Sequence, residues 1–255
     1  MKRTAIANAL FLSAALGAAA LPAHAADNAF ADTTVVLVHG AFADGTSWEK
    51  VIPLLQAKGL KVVAVQNPLT SLADDVAATQ RVVDAQTGKV VLVGHSWGGA
   101  VITQAGTSDK IKALVYVAAF APSEGEAIGA LGKDFPLPPG IPTLKPDASG
   151  FVYLPDDSVA ANFAQDLPAA QARLIAATQG PINGKAFGEP VTVAAWRNKA
   201  NYYIVASNDR MIAPGLERAF AAKIGATTTT LKTSHVPMLS QPKQVADVIL
   251  AAAAR

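Results

Sequence analysis

Val90-Val91-Leu92-Val93-Gly94-His95-Ser96-Trp97-Gly98-Gly99 is the stretch from which the rest of this chain can be read. The apolar, β-branched run Val90–Val93 predicts a buried strand. It stops at Gly94-His95-Ser96-Trp97-Gly98, and helix-like sequence follows from Gly99. Gly-x-Ser-x-Gly between a strand and a helix is the signature of a nucleophile elbow. So tight a turn forces Ser96 into a strained backbone conformation, and Gly94 and Gly98 lack the Cβ atoms that would collide with neighbouring backbone. The Ser96 hydroxyl is then expected clear of the sheet, at the N-terminus of the next helix. There a developing negative charge meets unpaired N–H groups and the positive end of the helix dipole.

Upstream of the elbow, strand and helix patterns alternate. Thr33–Val38 reads as a buried strand ending in His39-Gly40-Ala41-Phe42. Ser47–Ala57 has helical spacing, with Ser47 as N-cap, Pro53 as a candidate kink and Gly59 as its end. Lys61–Gln66 is a strand, Leu72–Gln86 an amphipathic helix, and Lys89–Val93 the strand that leads into Ser96. This order predicts a parallel sheet with helices on both faces. Ligands of such sheets bind beyond the carboxyl ends of the strands, where Ser96 and Ala41 both lie.

Downstream, Ile111–Phe120 reads as another strand, and then the alternation stops for residues 121–199. Residues 134–150 hold Pro136, Pro138, Pro139, Pro142 and Pro146, and short helical patches follow near Val159–Ala164 and Ala169–Ala177. The interval reads as a cap inserted over the carboxyl edge of the sheet. Its apolar residues, among them Phe151, Tyr153, Phe163, Phe187 and Trp196, argue against a disordered linker. Asn201–Ser207 resumes the strand pattern, followed by a helix over Pro214–Ile224, a Thr-rich strand over Thr227–Lys232 and a closing helix over Gln241–Ala254.

The first 25 residues read as a secretory signal peptide rather than as part of the fold. Lys2 and Arg3 precede an uncharged apolar run, and Ala23-His24-Ala25 is a small-x-small cleavage site. The run is too short and Ala-rich for a stable membrane anchor. The product is then expected in a periplasm or outside the cell, as a single domain over residues 26–255. The chain carries 21 Lys and Arg against 19 Asp and Glu, so that without Lys2 and Arg3 the two balance. Charge thus gives no case for nucleic acid or an anionic membrane as partner. Cysteine is absent, which leaves no disulfide frame and no thiolate metal site. A mature chain of about 230 residues can rest on its hydrophobic core alone.

A serine needs a neighbouring base to act as a nucleophile. Of four histidines, His24 belongs to the leader, His39 to the turn after the first strand and His95 to the elbow itself. His235, between the last strand and the last helix, remains. Its orienting acid is sought between serine and histidine. Asp209, directly after the strand at Tyr202–Ala206, fits best, with Glu124 as competitor. The oxyanion would be met by the Trp97 backbone N–H and by one from the loop after the first strand, Ala41 or Phe42. No His/Asp/Glu cluster has metal-ligand spacing, and Gly94, Gly98 and Gly99 do not have dinucleotide-binding spacing.

The blocks Val35–Phe42, Val93–Gly99, Val115–Pro122, Tyr203–Val205 through Asp209 to Pro214, and Ser234–Leu239 together resemble the α/β-hydrolases, in the branch that holds plant methyl-ester esterases and hydroxynitrile lyases. The resemblance implies an α/β-hydrolase fold: a mostly parallel, doubly wound sheet with an inserted cap. It implies Ser96 as nucleophile, Asp209 as acid and His235 as base, favours Ala41 as the second oxyanion donor, and implies no cofactor. Cyanide-releasing lyases of this branch typically carry Glu before the serine and Lys after the histidine. Here those positions are His95 and Val236, which favours ester hydrolysis.

The expected activity is hydrolysis of a small apolar ester or lactone, with Phe42, Trp97 and cap aromatics lining the pocket. A lyase using the same triad and a non-catalytic small-ligand binder are the rival readings; turnover of cyanohydrins would favour the first, binding without turnover the second. N-terminal sequencing of the exported protein is expected to begin at Ala26.

Overall fold

Six strands, five of them apolar runs and the sixth Thr-rich, pair as one sheet in the computed structural model, which describes residues 1, 30 and 32–255. The leader and its cleavage site lie outside the described residues. In chain order the strands and helices are β1 (Thr33–Val38), α1 (Ile52–Gln56), β2 (Lys61–Val65), α2 (Leu72–Asp84), β3 (Lys89–His95), α3 (Gly98–Ala105) and β4 (Ile111–Val117). Then come β5 (Lys145–Pro146), β6 (Phe151–Tyr153), α4 (Asp156–Ser158), α5 (Ala169–Thr178), β7 (Ile182–Asn183), β8 (Ala200–Ala206), α6 (Pro214–Lys223), β9 (Thr227–Leu231), α7 (Pro237–Ser240) and α8 (Pro242–Ala253).

The large sheet runs β2-β1-β3-β4-β8-β9, and every neighbouring pair in it is parallel. Right-handed crossovers explain the two helical layers. The chain steps one way from β1 to β2 and the other way from β2 to β3, so α1 and α2 fall on opposite faces. α3 continues in the direction of α2 and packs on it, while α8 returns to pack on α1. Strands β1, β3 and β4 are covered on both faces, which is why Val35–Val38, Val90–Val93 and Ala113–Val117 have no exposed surface at all.

Three boundaries differ from the sequence expectation, each for a local reason. The single helix expected over Ser47–Ala57 is two pieces. Asp44, not Ser47, caps a 3-10 turn at Gly45–Trp48 by accepting the Thr46 N–H. Pro53 then stands at the start of α1, where its missing N–H costs nothing, so it begins the helix rather than kinking it. The strand expected to reach Phe120 ends at Val117, because Ala118 turns to φ +43°. Within 121–199, strands β5, β6 and β7 form a small antiparallel sheet whose two- and three-residue strands are too short to show a period in sequence. The helical patches expected there are present as α4, continued by a π-turn over Val159–Phe163, and as α5.

At the elbow, the glycines answer to close backbone approach. A Cβ on Gly94 would lie 2.5 Å from the Gly98 carbonyl oxygen, and one on Gly98 would lie 2.6 Å from that of Val38. Both obstacles are buried backbone that cannot give. Gly94→Ala is therefore expected to cost about 1–3 kcal/mol of folding stability, read from the urea unfolding midpoint.

Candidate active site

Ser96, Asp209 and His235 follow the carboxyl ends of β3, β8 and β9, and the loops bring them together. Ser96 sits at φ +52°, in the left-handed region that a residue with a side chain rarely occupies. Its backbone is held there from both sides. Its N–H donates to the Val117 carbonyl at 3.2 Å, and its own carbonyl accepts from Gly99 at 3.0 Å and Phe120 at 3.1 Å. His235 Nε2 lies 2.8 Å from Ser96 Oγ. His235 Nδ1 lies 2.5 Å from Asp209 Oδ2. All three side chains are buried. Asp209 Oδ1 accepts from the backbone N–H groups of Met211 at 2.6 Å and Ile212 at 3.0 Å. The carboxylate is thus fixed by three donors, and the ring by the carboxylate. Glu124, the competing acid, is exposed on the surface.

The other two histidines are structural in their contacts. The His39 ring accepts the Asn67 N–H at Nε2, 3.0 Å away. That leaves Nδ1 as the donor to the Gly40 carbonyl, at 2.8 Å. Burial keeps His39 below the usual imidazole range, in agreement with this neutral tautomer. His95 Nε2 donates to the backbone carbonyl of His235 at 2.8 Å, so the residue before Ser96 pins the loop that carries His235. Burial, and then the neighbouring His235, hold His95 well below its ordinary value, so it makes this contact as a neutral ring. Phe163 closes the other side, with its ring centroid 5.1 Å from that of His235.

Ala41 and Trp97 lie just beyond the carboxyl ends of the paired strands β1 and β3. Neither backbone N–H donates to another group among the described residues, whereas the Phe42 N–H is taken by the Gly180 carbonyl at 3.1 Å. Trp97 immediately precedes α3. Its indole N–H donates to Asp75 Oδ2 at 2.7 Å, and Asp75 Oδ1 accepts the Leu69 N–H at 2.8 Å. Asp75 has no exposed surface.

Ser96 opens on a cavity of about 440 Å³. Its walls are mostly apolar, with Phe42 and Trp97 from the sheet side, Phe120, Phe135 and Phe187 from the segment after β4, and Met211 from the loop after β8; Lys133 is the one cation among the described lining residues. Phe42 and Trp97 line the cavity as the sequence led one to expect, and of the cap aromatics picked out there Phe187 does so. Phe163 instead packs on His235, and Phe151, Tyr153 and Trp196 lie elsewhere. Sequence reasoning missed Asp75, the bond from His95 to the His235 loop, and the lining residues Phe135 and Met211. A buried acid inside an amphipathic helix carries no pattern of its own, and only the fold brings these residues to the site. No group of three or more His, Cys, Asp or Glu able to hold a metal occurs among the described residues.

The chain belongs to the alpha/beta hydrolase family, whose profile matches residues 35–248. It is 28% identical over 241 residues to a probable hydrolase from Phoma sp., covering 84% of this chain and 96% of that one. It is 28% identical over 253 residues to Methylesterase 2 of Arabidopsis thaliana, covering 86% and 95%. In three dimensions it is similar to polyneuridine aldehyde esterase, with a TM-score of 0.75 at 22% identity over 86% of this chain and 98% of the other. Hydrolase and esterase are the activities that the family and these relatives support for this chain.

Burial pushes the Asp75 carboxyl up to about 6, against the pull of its Trp97 and Leu69 donors and with Asp74 and Glu189 adding to it. An unfolded Asp titrates near 3.9. Between about pH 4 and 6 the folded chain therefore binds more protons than the unfolded one. The contribution of Asp75 to stability is full below that window and is lost as pH rises through it. In Asp75→Asn that loss is absent. The unfolding free energy of D75N minus wild type is expected to rise by about 2–3 kcal/mol from pH 4 to pH 7, measured by urea titration.

Proposed function

We propose that the protein is an exported serine esterase that cleaves a small, apolar carboxylic ester or lactone through an acyl-enzyme. The observation that carries this is the unbroken chain Ser96 Oγ–His235 Nε2, 2.8 Å, and His235 Nδ1–Asp209 Oδ2, 2.5 Å, at the floor of an apolar cavity. His235 takes the Ser96 proton as Oγ attacks the carbonyl carbon. Asp209 holds the ring with Nδ1 protonated and Nε2 free to accept. The negative charge that develops on the carbonyl oxygen is met by the Trp97 and Ala41 N–H groups, which have no other acceptor among the described residues. The start of α3 adds its positive dipole end. His235 then gives its proton to the leaving alcohol, and a water activated by the same ring releases the acid.

The binding of Phe42 N–H to Gly180 supports Ala41, rather than Phe42, as the second donor. Residues 121–199 act as a cap: they supply Phe135 and Phe187 to the cavity and exclude water from the acyl-enzyme. The mostly apolar lining supports a small apolar ester or lactone as substrate.

Hydrolysis of short-chain p-nitrophenyl esters by residues 26–255 is expected, with Ser96→Ala lowering kcat by roughly 10⁴- to 10⁶-fold. Mass spectrometry of wild type quenched during turnover should show the acyl adduct on Ser96. Equal rates for S96A and wild type would falsify the mechanism.

A further inference from the structure

A second carboxyl group stands behind the triad. Glu217, in the first turn of α6, has no exposed surface and does not line the cavity. Its Oε2 accepts the Ala206 N–H at 2.9 Å. Ala206 is the last residue of β8, and its carbonyl accepts the Asp209 N–H at 3.2 Å. Glu217 is therefore clamped to the strand end from which the Asp209 loop springs. Its other oxygen, Oε1, is equally buried, and no donor faces it. As a carboxylate, that oxygen would be an orphaned charge in a dry interior, a costly state. As a carboxylic acid it has an acceptor at hand in the Asp209 carboxylate, which springs from the same strand end and acts on Glu217 as a neighbouring charge.

The polar groups around Glu217 settle which of the two acids keeps the proton. Asp209 faces it from the loop after β8, the Tyr203 phenol from β8 itself, and the exposed Arg218 follows it on α6. Two neighbouring carboxylates in a water-excluded site do not both ionise. Asp209 has three donors in Met211 N, Ile212 N and His235 Nδ1; Glu217 has one, Ala206 N. The charge belongs on Asp209 and the proton on Glu217. Burial first, and then the Asp209 charge, hold Glu217 well above the usual carboxylate range, in the same direction.

We propose that Glu217 is a positioning residue of the triad, a neutral carboxylic acid whose Oε1–H donates to the Asp209 carboxylate and fixes the group that orients His235. The role rests on the triad reading given above. Glu217 touches no substrate and acts only through Asp209. Without its donor, Asp209 carries more of its charge toward His235 and has an unsatisfied lone pair in a buried site. A more strongly charged Asp209 favours the protonated imidazole, which cannot accept the Ser96 proton. The acid limb of kcat/KM then moves to higher pH.

The test compares Glu217→Gln and Glu217→Leu with wild type and S96A, in the full mature chain, on p-nitrophenyl butyrate across about pH 5–9. Glutamine accepts from Ala206 and donates to Asp209, so E217Q is expected to keep kcat within about threefold and the acid limb in place. E217L cannot donate. It is expected to lose roughly 10- to 100-fold in kcat with little change in KM, and its acid limb is expected to shift upward. A purely structural role would lower stability without moving the limb. An E217L profile matching wild type, or an acid limb displaced in E217Q, overturns the proposal. The infrared difference spectrum between wild type and E217Q at about pH 8 gives a readout independent of catalysis and of whether E217L folds. It is expected to contain the C=O stretch of a carboxylic acid, and its absence overturns the proposal. If S96A is as active as wild type, the triad reading fails and the positioning role falls with it. The infrared band would then still report the proton on Glu217.

Discussion

The left-handed backbone of Ser96 is the constraint to which the rest of the site is fitted. A serine at φ +52° is unfavourable in isolation. It persists because β3 is locked between β1 and β4, and because its own N–H and carbonyl are bonded to Val117, Gly99 and Phe120. The glycines around it are a consequence. Gly94 leaves room for the backbone of Gly98, Gly98 for that of Val38 and His39, and a Cβ on Gly40 would stand 2.8 Å from that of Ser96. The loop after β1 can press against the serine only because that atom is missing. The backbone strain is thus distributed over three strand ends rather than borne by one residue.

The same economy recurs in the second layer of polar groups. Each group on the triad side is held by a buried partner with an otherwise unsatisfied valence. His39 bonds the Gly40 carbonyl, which shares its peptide unit with the Ala41 N–H. Asp75 holds the Trp97 indole, and His95 the carbonyl of His235. None of these contacts lines the cavity on its polar side. They set orientation, and orientation in a site of low dielectric is where preorganised donors gain their strength.

Much of this was legible in the amino-acid sequence, and the reason is the parallel sheet. Strands buried on both faces read as continuous Val and Leu runs, and the loops leaving the carboxyl ends of those runs all gather at one edge. That is enough to bring Ser96, Asp209, His235 and Ala41 into proximity on paper. The features that sequence left open were set by contacts with no local pattern. Pro53 looked like a kink because nothing in the sequence says that Asp44 caps the preceding turn first. The small sheet of β5, β6 and β7 is held by two pairings per interface, between strands too short to show alternation. The choice between Ala41 and Phe42 hangs on a Gly180 carbonyl more than a hundred residues away. Glu217 and Asp75 sit in the first turns of helices, where an acidic residue ordinarily signals only a favourable dipole contact.

The Gly180 contact belongs to a wider strap. Residues 180–189 are fastened to the sheet side three times: Gly180 accepts from Phe42, Asn183 donates to the Leu69 carbonyl, and Glu189 accepts from the Leu72 N–H. The proline-rich run at 133–139 also lines the cavity but is tied down at its end, where the Gly140 N–H donates to the Arg210 carbonyl at 2.9 Å, and Leu137 stands largely in solvent. The two walls therefore differ in evolvability. Exposed positions of the proline-rich run such as Leu137 can change the cavity wall without touching a bond to the sheet, so that wall can drift by single steps. A change in the strap reaches the loop after β1 through the Phe42–Gly180 bond, so on that side the cavity wall and the turn beside Ser96 change together.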